Sequence, residues 1–442
     1  MTSKAIPLPD LAGFTERNGT WYAEEIPLSD LAKEFGTPLY IYSKKALTEA
    51  YQAYDKACVD PSGKRRARVH YAMKANSNLA VIDCFKKLGS GFDLVSGGEL
   101  ERALAVGADP TSLVFAGVGK SAHEIAQALK AGVKCINVES IAELHQINRV
   151  ATKLNCRAPV SLRVNPDVDA QTHPYISTGL KGNKFGIAYH EVLKTYREAA
   201  LLAQIDVVGI DCHIGSQITN TAPYLDALDK VLELVTQLKK EGIEIHHLDL
   251  GGGLGISYGD DNPPDITEFT NTLLNRVAER GFGHLDIVLE PGRSLVGNAG
   301  VLLTQVEYLK PGTEKNFCIV DAAMTELMRP ALYEAYHGIV PAQTKQVASS
   351  TYDVVGPVCE SGDWLGRDRL LAVEEGDLLA ILSAGAYGFV MASNYNTRPK
   401  PAEIMVDGKN AYVIRKRENI ADLFASEATL PNWYCYWINL YW

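Results

Sequence analysis

The sequence predicts an α/β protein: a (β/α)8 barrel followed by a second, antiparallel β-sandwich or β-barrel domain. Three observations predict it. Eight short apolar runs recur between residues 68 and 293, separated by amphipathic, helix-length stretches, and that alternation gives parallel strands with crossover helices. Past Arg293 the texture changes to alternating, turn-punctuated runs, the mark of antiparallel strands. The length of 442 residues exceeds one ordinary core and suits a barrel of ~250 residues plus a second unit.

In chain order, the expected barrel strands are VHYAMK ending at Lys74, GFDLVS at Ser96, LVFAG at Gly117 and CINVES at Ser140. They continue with PVSLRVN ending at Asn165, VVGIDCHIGS at Ser216, HHLDLGGG at Gly253 and IVLEPGR at Arg293. They are apolar nearly throughout, as strands covered on both faces should be. Helices are expected over Ala122–Lys130, Ile141–Leu154, Tyr224–Lys240 and Ile266–Arg280, where apolar residues recur with helical spacing. The polar, glycine-rich stretch Asp167–Ile187 reads as a long functional loop. The division expected is an N-terminal segment (1–43) that joins the β domain through Pro38–Tyr42, a barrel (44–296) and the β domain itself (297–427). A tail (428–442), ending PNWYCYWINLYW, is expected outside the fold.

Composition narrows the function. A formal net charge of −10 argues against nucleic acid or an acidic membrane as partner. The single basic cluster, Lys64, Arg65, Arg66 and Arg68, reads as a solvated turn before a strand. The eight cysteines show no CxxC or Cys/His ligand spacing, so neither zinc nor a disulfide framework is expected. The N-terminus lacks an apolar signal segment and no run approaches ~18 apolar residues, so the cytoplasm is the expected location.

The chemistry gathers at strand ends. Lys74, in YAMKAN, would project into the barrel mouth, where an amine ringed by strand-end groups is suited to holding a cofactor as a Schiff base. GGGLG (Gly251–Gly255) is either an anion cradle of backbone N–H groups or a tight turn alone. AGVGKS (Ala116–Ser121) is not a Walker loop, because Val114 stands where the first glycine is required. EPGR (Glu290–Arg293) offers a carboxylate and a guanidinium, either a structural ion pair or a partner for a pyridine nitrogen beside a grip for phosphate or carboxylate. In HIGS, His213 either stacks on a planar cofactor or fills a core, and Ser216 is a phosphate ligand candidate. Asp93 is either a catalytic-site carboxylate or a strand-end cap, while CESGD (Cys359–Asp363) and GAYG (Gly385–Gly388) matter only if the β domain meets a barrel mouth.

Together YAMKAN, GFDLVSGGEL, HIGSQ, GGGLG, EPGR, MRPALYEAYH, CESGD and GAYG resemble the fold-type III pyridoxal-phosphate decarboxylases, in the family's order, from about residue 15 to 427. The resemblance implies pyridoxal 5'-phosphate as cofactor, with Lys74 anchoring it, His213 stacking on its ring and Glu290 pairing with its nitrogen. It implies Ser216, Gly252, Gly253, Gly292 and Arg293 around the phosphate or the adjoining substrate carboxylate, Tyr387 at the phosphate end, and Asp93 as a pocket carboxylate. The likeness is greatest to the branch that removes CO2 from meso-2,6-diaminopimelate to give L-lysine, the last step of lysine biosynthesis. In that branch Arg329 and Tyr333 clamp the distal carboxylate, Glu360 takes the distal ammonium, and Cys359 is the candidate proton donor. Cys359 and Glu360 reach the site from the partner subunit, which implies a head-to-tail homodimer with shared active sites. HPYISTG and NKFG match a mobile family segment near the site entrance. Decarboxylases of carboxynorspermidine, ornithine or arginine and an amino-acid racemase are the alternatives; Arg329 argues against ornithine and arginine, which have no distal carboxylate.

Overall fold

A computed structural model of the chain describes residues 6–170, 173, 176, 178–180 and 182–430. Most of the aromatic tail, residues 431–442, therefore lies outside the described residues, as do six positions of the polar loop.

Eight parallel strands form a closed barrel: Ala67–Ala72, Gly91–Leu94, Leu113–Phe115, Cys135–Val138, Ala158–Asn165, Ile205–Asp211, His247–Asp249 and Asp286–Leu289. Pairing of Val288 with Arg68 and of Ile136 with Val160 completes the ring. Every expected strand is present, but most stop short of the motif that was read as their end. The first ends at Ala72, and Lys74 sits in a single 3₁₀ turn, Met73–Ala75. The seventh ends at Asp249, because Gly251 and Gly253 have φ of +63° and +111°, which no strand ladder accommodates. Lys74, His213, Ser216 and Glu290 thus stand on the turns that leave the barrel, just past the strand ends.

The helices follow from caps and periodicity. Ser121 and Glu124 form a reciprocal capping box at the start of Ala122–Ala131, and Gly132, left-handed, ends it. Helix Ala222–Lys240 buries Leu228, Val231, Leu232, Val235 and Leu238, an i, i+3, i+4, i+7 stripe worth roughly 1.5–3 kcal/mol per side chain.

One expectation is corrected inside the barrel. The strands are not apolar on both faces. Register sets Asn137 beside Ser161, Ser161 beside Gly209 and Gly209 beside His247 in one inward layer. Toward the mouth, Arg163 stands beside Asp211, and Asp211 beside Asp249. All of these are buried. A Cβ on Gly209 would lie 2.9 Å from Cδ2 of His247, so the glycine makes room for that ring. Polar layers thus continue up the barrel, the one nearer the mouth carrying Arg163, Asp211 and Asp249.

The second domain is mostly sheet. Strand Gly300–Lys310 pairs antiparallel with Leu39–Ser43, Asn316–Val320 and Leu378–Ile381. The expectation of a purely antiparallel sheet is corrected at two places. Leu39–Ser43 runs parallel to Ala402–Asp407, and Asn316–Val320 runs parallel to Ser350–Val355. Parallel neighbours need long crossovers, and the crossover from Val320 to Ser350 carries the short helix Arg329–Tyr333. Leu39 and Ile41 point into one apolar cluster while Tyr40 and Tyr42 point into another, so this strand is covered on both faces. No helix among the described residues is long and apolar enough to cross a membrane.

Candidate active site

A cavity of about 470 Å³ opens at the barrel mouth, lined by Lys74, His213, Ser216, Arg293, Arg329, Tyr333 and Tyr387 among others. Seven of the expected site residues therefore meet in one space. The β domain closes it. The Tyr387 N–H donates to the Ala75 carbonyl at 2.8 Å, and Asn76 Nδ2 donates to the Gly385 carbonyl at 3.2 Å. The GAYG turn is thereby bonded to the turn that carries Lys74.

Lys74 Nζ lies 3.1 Å from Asp93 Oδ2, and Asp93 is buried. Burial disfavours the Lys74 ammonium, but the charges of Asp93, Tyr387 and Glu290 outweigh it and raise its pKa. Burial likewise pushes Asp93 up, against the pull of Lys74. Beyond this pair, oxygens of Asp211, Asp249 and Glu290 lie within 4.8 Å of one another. Carboxyls that close cannot all be ionised. Burial and the charges of Asp249, Asp93 and Asp211 hold Glu290 well above the usual carboxyl range. Arg163, a guanidinium in this layer, is held by Glu139 at 2.6 Å.

His213 takes up a defined protonation state. The Gly252 N–H donates to its Nδ1 at 3.2 Å, so the ring proton sits on Nε2. Burial, then the charges of Lys74 and Arg163, hold its pKa well below the ordinary value. Glycine is obligatory at 252 because a Cβ there would stand 1.9 Å from the Glu290 carbonyl oxygen, and at 253 because one would stand 2.2 Å from that of Gly215. A Cβ on Gly292 would crowd Ala72 and Ala75 at 3.2 Å. Arg293 Nη2 donates to Ser216 Oγ at 3.2 Å and Nη1 to the Tyr258 hydroxyl at 2.5 Å, while its guanidinium lies 4.8 Å from the Tyr387 ring centre.

Arg329 and Tyr333, on their short helix, bring the β domain into the cavity lining. Cys359 and Glu360 do not line it. Both are exposed, and the Cys359 N–H is bound to Asn396 Oδ1 at 3.0 Å. Residue-by-residue reading missed four neighbours. Arg163 and Lys120 line the cavity, Tyr258 lies under Arg329, and His337 is bonded to it. Lys120 was visible as the lysine of AGVGKS and His337 as the end of MRPALYEAYH. Arg163 and Tyr258 carried no local signal beyond a charge inside a strand and an aromatic after the glycine turn.

The residues fit the cofactor they were expected to hold. Glu290 Oε1 and Asp93 Oδ1 are buried without a hydrogen-bond partner, which is costly unless a ligand supplies one. A planar ring with a protonatable nitrogen and an anionic tail matches a site that offers a carboxyl with an unpartnered oxygen, a neutral imidazole, an amine and a guanidinium held by hydroxyls. Comparison with known proteins agrees. Residues 44–297 match the model for the pyridoxal-binding domain of pyridoxal-dependent decarboxylases. The chain is 53% identical over 416 residues to a diaminopimelate decarboxylase of Vibrio cholerae, covering 94% of this chain and 98% of that one. It is 55% identical over 410 residues to one of Neisseria meningitidis, covering 92% and 97%. Among solved structures, diaminopimelate decarboxylase from Helicobacter pylori complexed with L-lysine superposes with a TM-score of 0.86 at 42% identity, covering 90% of this chain and 99% of that one.

Proposed function

We propose a residue-level mechanism for this chain, which belongs to the diaminopimelate decarboxylases within the pyridoxal-dependent decarboxylase family. The enzyme is a pyridoxal-phosphate-dependent carboxy-lyase that converts meso-2,6-diaminopimelate to L-lysine and CO2, the reaction that ends lysine biosynthesis. The observation that carries the residue assignments is the meeting of Lys74, His213, Arg293, Arg329 and Tyr387 around one cavity.

Lys74 is the anchoring amine. Its Nζ must lose a proton to bond, and Asp93 Oδ2, 3.1 Å away, is the acceptor in place. His213 would be the neutral platform for the ring, and Glu290 would hold a proton at the pyridine nitrogen. Ser216, Gly252, Gly253, Gly292, Arg293 and Tyr387 would hold the phosphate end, with Arg293 and Tyr387 also available to the substrate. Bound pyridoxal phosphate supplies the electron sink for the pair released when the Cα–carboxylate bond breaks. Arg329 and Tyr333 grip the distal carboxylate, which fixes the end of the substrate that reaches Lys74. After CO2 leaves, the Cys359 thiol delivers its proton to Cα, and Glu360 binds the distal ammonium.

Exposure of Cys359 and Glu360, away from their own chain's cavity, supports a head-to-tail homodimer in which each subunit lends these two residues to its partner. A distal pocket that pairs both charges rejects substrates lacking one, because a buried charge is left unpaired. The test is CO2 release from a panel of amino acids, with and without added pyridoxal phosphate. Release is expected from meso-diaminopimelate and not from lysine, ornithine or arginine. Exchange of stereoisomers without CO2 would replace this reading by a racemase.

A further inference from the structure

Buried guanidiniums are ordinarily matched by carboxylates, as Arg163 is by Glu139. Among the described residues, no carboxylate forms an ion pair with Arg329. It is 5% exposed, and the side chains whose charges act on it most strongly are Tyr258, Arg293, Tyr333 and Tyr387. What holds it is an imidazole. Arg329 Nη1 lies 2.8 Å from His337 Nε2, and His337 Nδ1 lies 2.8 Å from the Leu382 carbonyl oxygen. A carbonyl oxygen only accepts and a guanidinium only donates. The two bonds together therefore fix one tautomer, with the proton on Nδ1 and a lone pair on Nε2 facing Arg329.

The surroundings keep that ring neutral. His337 is fully buried, and burial together with the Arg329 charge holds its pKa well below the ordinary value. Tyr258 supports the arrangement from one side. Its ring centre is 4.6 Å from the Arg329 guanidinium, and it meets His337 edge-on at 5.2 Å. A carboxylate in place of His337 would hold the guanidinium more tightly, but it would also neutralise the charge that a ligand needs. A neutral acceptor fixes the direction of the guanidinium and leaves its charge unspent.

We propose that His337 is a positioning residue for substrate recognition: it seats Arg329 as an aimed cation without a resident counter-ion, reserved for the distal carboxylate. This rests on the reading of Arg329 given above. The diagnostic ligands are L-lysine, which keeps the distal carboxylate, and pentane-1,5-diamine, which lacks it. Each is titrated into the pyridoxal-phosphate-loaded dimer of wild type, His337→Leu and His337→Gln, with the cofactor's visible spectrum as readout.

His337→Leu should weaken L-lysine about ten- to hundredfold, the worth of a hydrogen bond to a charged group, and leave the diamine within about twofold. KM for diaminopimelate should rise more than kcat falls. His337→Gln, whose amide can accept from Arg329 and donate to Leu382, should recover most of the L-lysine affinity. Unchanged L-lysine affinity in His337→Leu would overturn the proposal. So would equal losses for both ligands, which mark a disturbed pocket, or a Gln variant as weak as the Leu one. A wild-type enzyme that does not prefer L-lysine to the diamine would instead refute the assignment of Arg329, and the proposal would fall with it.

Discussion

The Gly252 N–H and the His213 Nδ1 are hydrogen-bonded at 3.2 Å, and this contact fixes the tautomer of an imidazole that burial, then the charges of Lys74 and Arg163, hold neutral. The backbone of one strand-end turn thus sets which nitrogen of a side chain on another carries the proton. It depends on position 252 having no side chain, since the Glu290 carbonyl occupies the space a Cβ would need.

Lys74→Ala removes the only amine expected to bond the cofactor. The purified variant should lack the visible absorbance of the lysine-bound cofactor and release no CO2 from diaminopimelate. It also leaves Asp93 buried without its ion pair, so the melting temperature should be recorded beside the spectrum. Retained absorbance would move the anchor to another lysine.

Arg329→Ala should keep that absorbance and lose the distal grip. Removing one partner of a buried charge contact costs about 2–5 kcal/mol, which is to appear in kcat/KM for diaminopimelate. Unaltered kinetics would remove the clamp from the mechanism.

Cys359 and Glu360 are assigned to the neighbouring subunit's site, and subunit mixing tests this. Lys74→Ala and Cys359→Ala homodimers should each be nearly inactive. After mixing and exchange, hybrids contain one site with both defects and one with neither, so about a quarter of wild-type activity should return. No recovery would mean that each chain completes its own site.

Acid should destabilise the fold through buried His70, whose pKa burial pushes down to about 3, with the Asp249 charge acting in the opposite direction. The unfolded histidine titrates near 6.5. Between those values the unfolded chain takes up a proton that the folded one refuses, so stability falls as pH drops through the window. The slope is about 1.36 kcal/mol per pH unit per site, or roughly 2.7 kcal/mol by about pH 4.5. His70→Gln should lose correspondingly less between about pH 7 and about pH 4.5 in denaturant titrations. Equal losses in both proteins would show that the ring titrates normally in the fold.

The barrel and the identity of its mouth groups were legible because both signals are local. An apolar run followed by YAMKAN, HIGS, GGGLG or EPGR announces a strand and its chemistry within ten residues. The polar interior was harder to read. Ser161, Arg163, Asp211 and His247 alternate with outward apolar residues on strands as short as three residues, too few to display a period of two. Strand ends were read too far because the glycine-rich turns continue the apolar run while abandoning the ladder. Tyr258 and His337 gain their roles only where the loop after the seventh strand meets the β-domain crossover, a meeting that no local window contains. The parallel pairings in the β domain were hidden for the same reason.

Strand Leu39–Ser43 lies between Gly300–Lys310 and Ala402–Asp407, so its two neighbours leave the ribosome some 260 and 360 residues later. Until then this LYIYS segment, buried at every position in the finished protein, has two bare edges and two greasy faces in a nascent chain. The barrel segment can complete its own ring before release, whereas the sheet cannot be assembled until the final strands have been translated. Premature termination after the barrel would therefore leave a sticky, unpaired ribbon at its amino end, a natural seed for aggregation.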